Sequence, residues 1–248
     1  MLIVNVFLWD KFIYQQGEEF TKKYLYKNQS KIILGASHGR DLNIKNFYNF
    51  CSGSQTLDLS YLIINDLIES NNEIDEIILT ISPFSFDKTS KNKGFFVRNN
   101  YPQTKDNILF RYFKDNEKLY RILNLFKDKT KSKDKNIKWR KHHLGDGSNS
   151  GKFFLDSILS VSKRFNVKLN FVIPPYTKEY LRFIESNNFW DSNKKTLKDL
   201  DSLNNIDFYD FSDYFNKSKD YWQYFNDLDH MTIEAGHELS ELITNNIN

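Results

Sequence analysis

Short apolar runs that stop at glycine, serine or proline recur along this chain, alternating with stretches whose apolar positions follow a helical period. Ile32–Leu34 halts at Gly35, and this predicts a buried parallel strand. Phe47–Cys51, ended by Ser52-Gly53, is a second strand, and Glu76–Ile81, stopped by Ser82-Pro83, a third. Lys168–Ile173, ended by Pro174-Pro175, and Ile206–Phe211 complete the set. Between them Leu57–Ile68 gathers Leu57, Tyr61, Ile64, Asp66 and Ile68 on a mainly apolar helical face. Phe153–Phe165, Tyr180–Ile184 and Leu197–Leu203 also read as helical. Thr232–Ile247 closes the chain as an amphipathic helix with Leu239, Leu242 and Ile243 on one side. Strands alternating with helices predict an α/β fold of three layers, α/β/α, with a parallel sheet of about five strands in the flavodoxin-like manner.

Phe84 to Gly151 interrupts the alternation. Asp87–Tyr101 reads as a loop bearing Phe95, Phe96 and Tyr101, Asp106–Phe126 as a helix, and Lys127–His143 as a lysine-dense run with Trp139, Arg140, His142 and His143. A helical insertion over about 84–151, after the third strand, is either a lid or substrate wall above the strand ends or a solvated loop. At the front, the nine residues Met1–Trp9 are apolar but for Asn5, against about 20 needed to cross a bilayer. They lack the basic start and small-residue cleavage site of a secretory signal. Residues 1–30 therefore stand apart from a single domain over 31–248, as a buried strand or helix start or as the tail of a membrane anchor. The compartment follows that choice: cytoplasmic, or membrane-associated and periplasmic if the segment is an anchor.

Composition narrows the picture further. The 248 residues are 40% hydrophobic and 16% aromatic, enough for a substantial core. With 35 basic and 32 acidic residues the net charge is +3, which names no partner. The basic run Lys127–Lys141 is interrupted by Asp128 and Asp134, so nucleic acid is not the expected partner. Cys51 is the sole cysteine, which excludes an internal disulfide and a cysteine-based zinc site. His142 and His143 lack the carboxylate or cysteine spacing of a metal site. Gly145–Lys152 resembles a phosphate loop but fails its spacing, and Phe153 follows the lysine where Ser or Thr is required.

Two segments carry the candidate chemistry. Gly35-Ala36-Ser37-His38 follows the first strand directly, and Asn226-Asp227-Leu228-Asp229-His230 precedes the last helix. A serine at a strand end can act as a nucleophile, a histidine can take its proton, and an aspartate can hold the imidazole in the right tautomer. Either Asp227, three residues before His230, or Asp229 can fill that last role. In parallel sheets reactive groups gather at the carboxyl ends of the strands. Ser37, Gly53, Ser82 and His230 are all expected at that edge. His38 can reach substrate there or turn inward and pack, and His237 in the last helix reads as structural.

Together these pieces resemble the SGNH (GDSL-like) hydrolase and acyltransferase superfamily over roughly Lys31 to the C-terminus. Gly35-Ala36-Ser37 stands where the family has its first block, Gly53 where a second-block glycine gives its N–H to the oxyanion, and Asp227–His230 matches the final Asp-x-x-His block. Gly236-His237 is similar to the tail that follows it. Two departures stand out. Ala36 occupies the place of the Asp before the serine, and Ser82-Pro83-Phe84 replaces the third-block Asn. The resemblance then implies Ser37, Asp227 and His230 as catalytic residues. Oxyanion or substrate contacts would come from Gly53 with Ser82, Ser54 or Gln55, and from His38.

The resemblance further implies an O-acetyltransferase acting on a bacterial surface or capsular glycan through an acyl-serine, without metal or cofactor. The acyl donor would be acetyl-CoA or an acylated, membrane-bound partner. A carbohydrate O-acetyl esterase, and a non-catalytic glycan-binding or scaffold homologue, are the alternatives it leaves open.

Overall fold

The computed structural model describes residues 30–51, 55–69, 73–86, 151–186, 188–201 and 205–247, all within one compact unit of the chain. The expected insertion, apart from its first residues Phe84–Phe86 and its last, Gly151, lies outside the described residues, as do residues 1–29 and Gly53.

Five parallel strands form one sheet in the order β2-β1-β3-β4-β5. They are β1 Lys31–Gly35, β2 Tyr48–Asn49, β3 Glu76–Thr80, β4 Lys168–Ile173 and β5 Ile206–Asp210. The register runs level across the middle, Ile32 against Ile77, Ile77 against Leu169, and Leu169 against Ile206. The central strands read as mainly apolar runs, broken in β4 by the buried Asn170, because both of their faces are covered. Ile33, Ile78 and Val172 meet Ala235, Leu239 and Ile243 of the last helix, α5 (Ile233–Ile247). Their neighbours Ile32, Leu34, Ile77, Leu79 and Phe171 point to the opposite face, since side chains alternate along a strand. There α1 (Leu57–Glu69) packs against α2 (Lys152–Phe165). At the outer strand β5 the pattern breaks into Ile-Asp-Phe-Tyr-Asp, as suits a half-covered edge.

Two expected elements differ in extent. The second strand is only Tyr48–Asn49, with the Phe50 N–H donating to the Ile33 carbonyl just beyond it, and the Asn49 side chain binds neighbouring backbone. Its Nδ2 donates to the carbonyls of Gly39 and Leu42, and its Oδ1 accepts from the Cys51 N–H. The helix expected at Leu197–Leu203 is α4, Asn188–Leu200, which follows α3 (Lys178–Glu185). Its buried stripe is Trp190, Asn193 and Leu197, and the polar middle member hides the period.

At the amino ends of the strands Glu76 is buried but paired, with Lys31 Nζ and Asn170 Nδ2 each 2.8 Å from its carboxylate. Burial pushes that carboxyl up, and the bonds and charges of Lys31, Asn170 and Lys168 outweigh it, so the net shift is downward. The carboxyl ends lie at the opposite edge. β1 leaves it through Gly35 at φ +138°, where a Cβ would sit 1.9 Å from Thr80 Oγ1. Only glycine lets the chain turn there towards Ser37. After β3, the Phe86 carbonyl accepts from the Gly151 N–H at 2.6 Å, so the chain leaves the sheet edge and returns to it at one point.

Candidate active site

Ser37 opens a single 3₁₀ turn, Ser37–Gly39, directly after β1. That turn is closed by Gly39 N–H to the Ala36 carbonyl and Arg40 N–H to the Ser37 carbonyl. Asn49, holding the carbonyls of Gly39 and Leu42, braces the turn from behind. His230 arrives from a compact loop whose ends pair as an isolated antiparallel bridge, Phe225 with Met231. The Asn226 N–H donates to the His230 carbonyl and Asn226 Nδ2 to the Met231 carbonyl. Thr177, after β4, donates both its N–H and its Oγ1–H to the Leu228 carbonyl, which ties this loop to the sheet edge.

These two supports bring together groups 193 residues apart: Ser37 Oγ lies 2.8 Å from His230 Nε2. On the other side of the ring, His230 Nδ1 is 3.0 Å from both carboxylate oxygens of Asp227. A carboxylate can only accept, so Nδ1 carries the proton and Nε2 accepts from the Ser37 hydroxyl. Asp227 is itself fixed by the backbone N–H groups of Asp229 (3.0 Å) and His230 (2.9 Å). Burial pushes its carboxyl up, but the hydrogen bond and charge of His230 prevail and hold it below the usual carboxylate range. Of the two aspartates left open by the sequence, Asp227 is the direct partner. Asp229 Oδ1 stands 3.5 Å from Nδ1, beyond normal hydrogen-bond length.

The other expected site residues are placed differently. His38 is buried at 3% exposure and both ring nitrogens are occupied, Nδ1 with Ser82 Oγ (2.7 Å) and Nε2 with Asp229 Oδ2 (3.0 Å). It faces inward, so the expectation of a substrate contact from His38 is corrected. Ser82 is fully buried; its hydroxyl is spent on His38 and its N–H on Ser85 Oγ, which removes it as an oxyanion donor. Gln55 is also buried, with Nε2 donating to Ser60 Oγ of α1.

Sequence reasoning missed the Ser82–His38–Asp229 chain as a unit. The signal was the pair of adjacent doublets, Ser-His after β1 and Asp-x-Asp-His before α5, each offering one member to the other. Tyr176 completes the surroundings with its ring edge-on to His38, centroids 5.4 Å apart. Among the described residues His38, Asp229 and His230 are a group whose ligand atoms come within 4.8 Å of one another. All three already hydrogen-bond within the protein, so a metal there would compete with the Asp229–His38 and Asp227–His230 pairs.

No protein-family model and no curated protein matches the chain. Among solved structures it is similar to one from Streptococcus pneumonia that is provisionally described as a platelet activating factor. The TM-score is 0.53 at 13% identity, over 100% of this chain and 97% of that one. It also matches a lipase/acylhydrolase from Enterococcus faecalis (TM-score 0.47, 10% identity, 88% and 94% covered). A third match is the C-terminal catalytic domain of Streptococcus pneumoniae peptidoglycan O-acetyltransferase A with a methylsulfonyl adduct (TM-score 0.46, 12% identity, 89% and 90% covered). The first of these likenesses, together with the all-parallel sheet, establishes the fold class: a three-layer α/β/α domain.

Proposed function

We propose that this protein is a serine acyl-transfer enzyme, with Ser37 as nucleophile, His230 as general base and acid, and Asp227 as the group that orients His230. The observation that carries the reading is the 2.8 Å contact between Ser37 Oγ and His230 Nε2, with Asp227 on the far side of the ring. Ser37 Oγ attacks the acyl carbonyl carbon while its proton passes to Nε2. The oxyanion so formed collapses, and the leaving group departs with the proton from Nε2. A second hydroxyl then attacks the acyl-serine, giving up its proton to Nε2, and the new oxyanion collapses with Ser37 Oγ leaving and taking that proton back. Asp227 stabilises the imidazolium in both halves. As first residue of its turn, Ser37 offers an N–H that the turn itself leaves without a partner, suited to the oxyanion. The reaction as drawn is complete with protein groups, so no cofactor is assigned beyond the acyl donor.

In the fuller reading the acyl group is acetyl, supplied by acetyl-CoA or by an acylated membrane partner, and the acceptor is a hydroxyl of a bacterial surface glycan. This rests on the family resemblance of the Gly-x-Ser and Asp-x-x-His segments. Incubation with p-nitrophenyl acetate, with and without an acceptor glycan, tests it. Turnover lost in Ser37→Ala supports the acyl-transfer reading, and acetyl reaching the glycan faster than water selects the transferase over the esterase. Absence of both turnover and an acyl-serine with activated esters overturns it in favour of a binding protein.

A further inference from the structure

Behind His230 lies a second imidazole–carboxylate pair that the proposed mechanism does not use. Asp229 is 1% exposed, and a buried carboxylate is costly unless partners face it. One partner is the His38 Nε2–H, 3.0 Å from Oδ2. The other oxygen, Oδ1, faces His230 Nδ1 at 3.5 Å. The Ser82 hydroxyl at His38 Nδ1 completes the assignment: Asp229 must accept, so His38 carries its proton on Nε2 and takes the Ser82 O–H at Nδ1. The rings of His38 and His230 stack, with centroids 4.9 Å apart and planes 16° from parallel. Two cationic rings so arranged would repel. Burial first, and the neighbouring His230 as well, hold the His38 ring below its usual range, against the raising effect of Asp229.

We propose that Asp229 is a second carboxylate for His230, sharing with Asp227 the stabilisation of the imidazolium formed during acyl transfer, and that His38, braced by Ser82, is the positioning residue that keeps Asp229 aimed at that ring. The inference rests on the reading of Ser37 and His230 given above. Among the described residues, Ser37 and His38 from the turn after β1, and Asp227 and Asp229 from its own loop, face His230. Tyr176 after β4 and Phe84 after β3 pack against the His38 ring. Removing the Asp229 charge therefore leaves Asp227 as the one carboxylate against the ring among the described residues.

The test follows the protonation of His230 by NMR in the full chain, with its imidazole resonance assigned by its loss in His230→Gln. Asp229→Asn lowers the His230 midpoint by about one pH unit, the order expected for losing a close opposite charge. In kcat/KM the acidic limb moves to lower pH by a similar amount, because the weaker base sheds its proton earlier. His38→Gln, whose amide N–H can replace Nε2–H towards Asp229, keeps the midpoint near that of the unsubstituted protein, whereas His38→Leu lowers it. An unmoved midpoint in folded Asp229→Asn overturns the proposal.

Should Asp229→Asn fail to fold, Asp227→Asn decides. A His230 midpoint above the ordinary value near 6.5 supports Asp229 as a second carboxylate, and a midpoint at or below it does not. The midpoint is read without substrate, so full turnover in Ser37→Ala would sink the acyl-transfer reading while leaving the two-carboxylate result to stand or fall separately.

Discussion

Gly236 in the last helix meets the Asp41 backbone so closely that a Cβ there would lie 2.5 Å from the Asp41 carbonyl oxygen. The contact joins the helix that begins three residues after His230 to the loop that follows the Ser37 turn. Asn43 N–H to Ser240 Oγ, at 2.8 Å, fastens the same two segments one helical turn further on. The alignment of serine and histidine thus depends on a helix face far from both side chains.

Gly236→Ala is expected to force that helix outward. Overpacking of this kind costs about 1–3 kcal/mol, which urea denaturation would read as a lower midpoint at unchanged slope. Turnover should fall as well, since the helix carries the end of the His230 loop. Stability and rate both equal to the unsubstituted protein would show that the contact does not set the site.

Ser37→Ala removes the nucleophile and abolishes the acyl-enzyme, read by intact mass after exposure to an activated ester. Asp227→Asn keeps the shape but offers Nδ1 a mixed partner; a change of this type at a buried serine–histidine–aspartate site costs about 10⁴ in kcat. Here the nearby Asp229 softens the loss, so Asp227→Asn is expected to retain more rate than the double variant Asp227→Asn/Asp229→Asn.

Acid should destabilise the fold through three carboxylates held below their ordinary range: Glu76, Asp210 and Asp227. In each, burial pushes upward and is outweighed by partners, Lys31 for Glu76, Lys194 for Asp210 and His230 for Asp227. Each takes up a proton more readily unfolded than folded. Its contribution is therefore fully present above the unfolded value, about 4, and is lost as pH falls through the lower folded value. Unfolding free energy measured between pH 7 and pH 2 should decline, and Glu76→Gln should flatten part of that decline. Equal slopes in the two proteins would remove Glu76 from the account.

Cys51 is buried and its thiol is pushed up to about 12 by desolvation, with Thr80 Oγ1 3.9 Å from its sulfur. The thiolate is the reactive form, so a disulfide reagent at pH 8 should leave the native protein untouched and modify it only on unfolding. Rapid labelling of the native chain would contradict the burial.

Much of the fold was legible in local pattern. The apolar runs around Ile33, Ile78 and Phe171 announce strands buried on both faces, and the stops at Gly35 and Pro174 mark the carboxyl edge. The Asn188 half of α4 was not, because Asn193 occupies a buried position where the period asks for an apolar residue. The second strand was legible at Phe47–Cys51, and only its short extent, Tyr48–Asn49, was left to the fold.

The same division runs through the site. Residue types and chain order alone determined that a serine after the first strand and an Asp-x-x-His before the last helix would come to one edge, since parallel strands deliver their ends to the same side. Which aspartate holds His230, and whether His38 looks outward or inward, was decided only in three dimensions. Those choices turn on backbone angles within two tight turns and on Ser82, Thr177 and Tyr176, which stand in the segments just after β3 and β4, distant in sequence, and no local spacing encodes where such neighbours will stand.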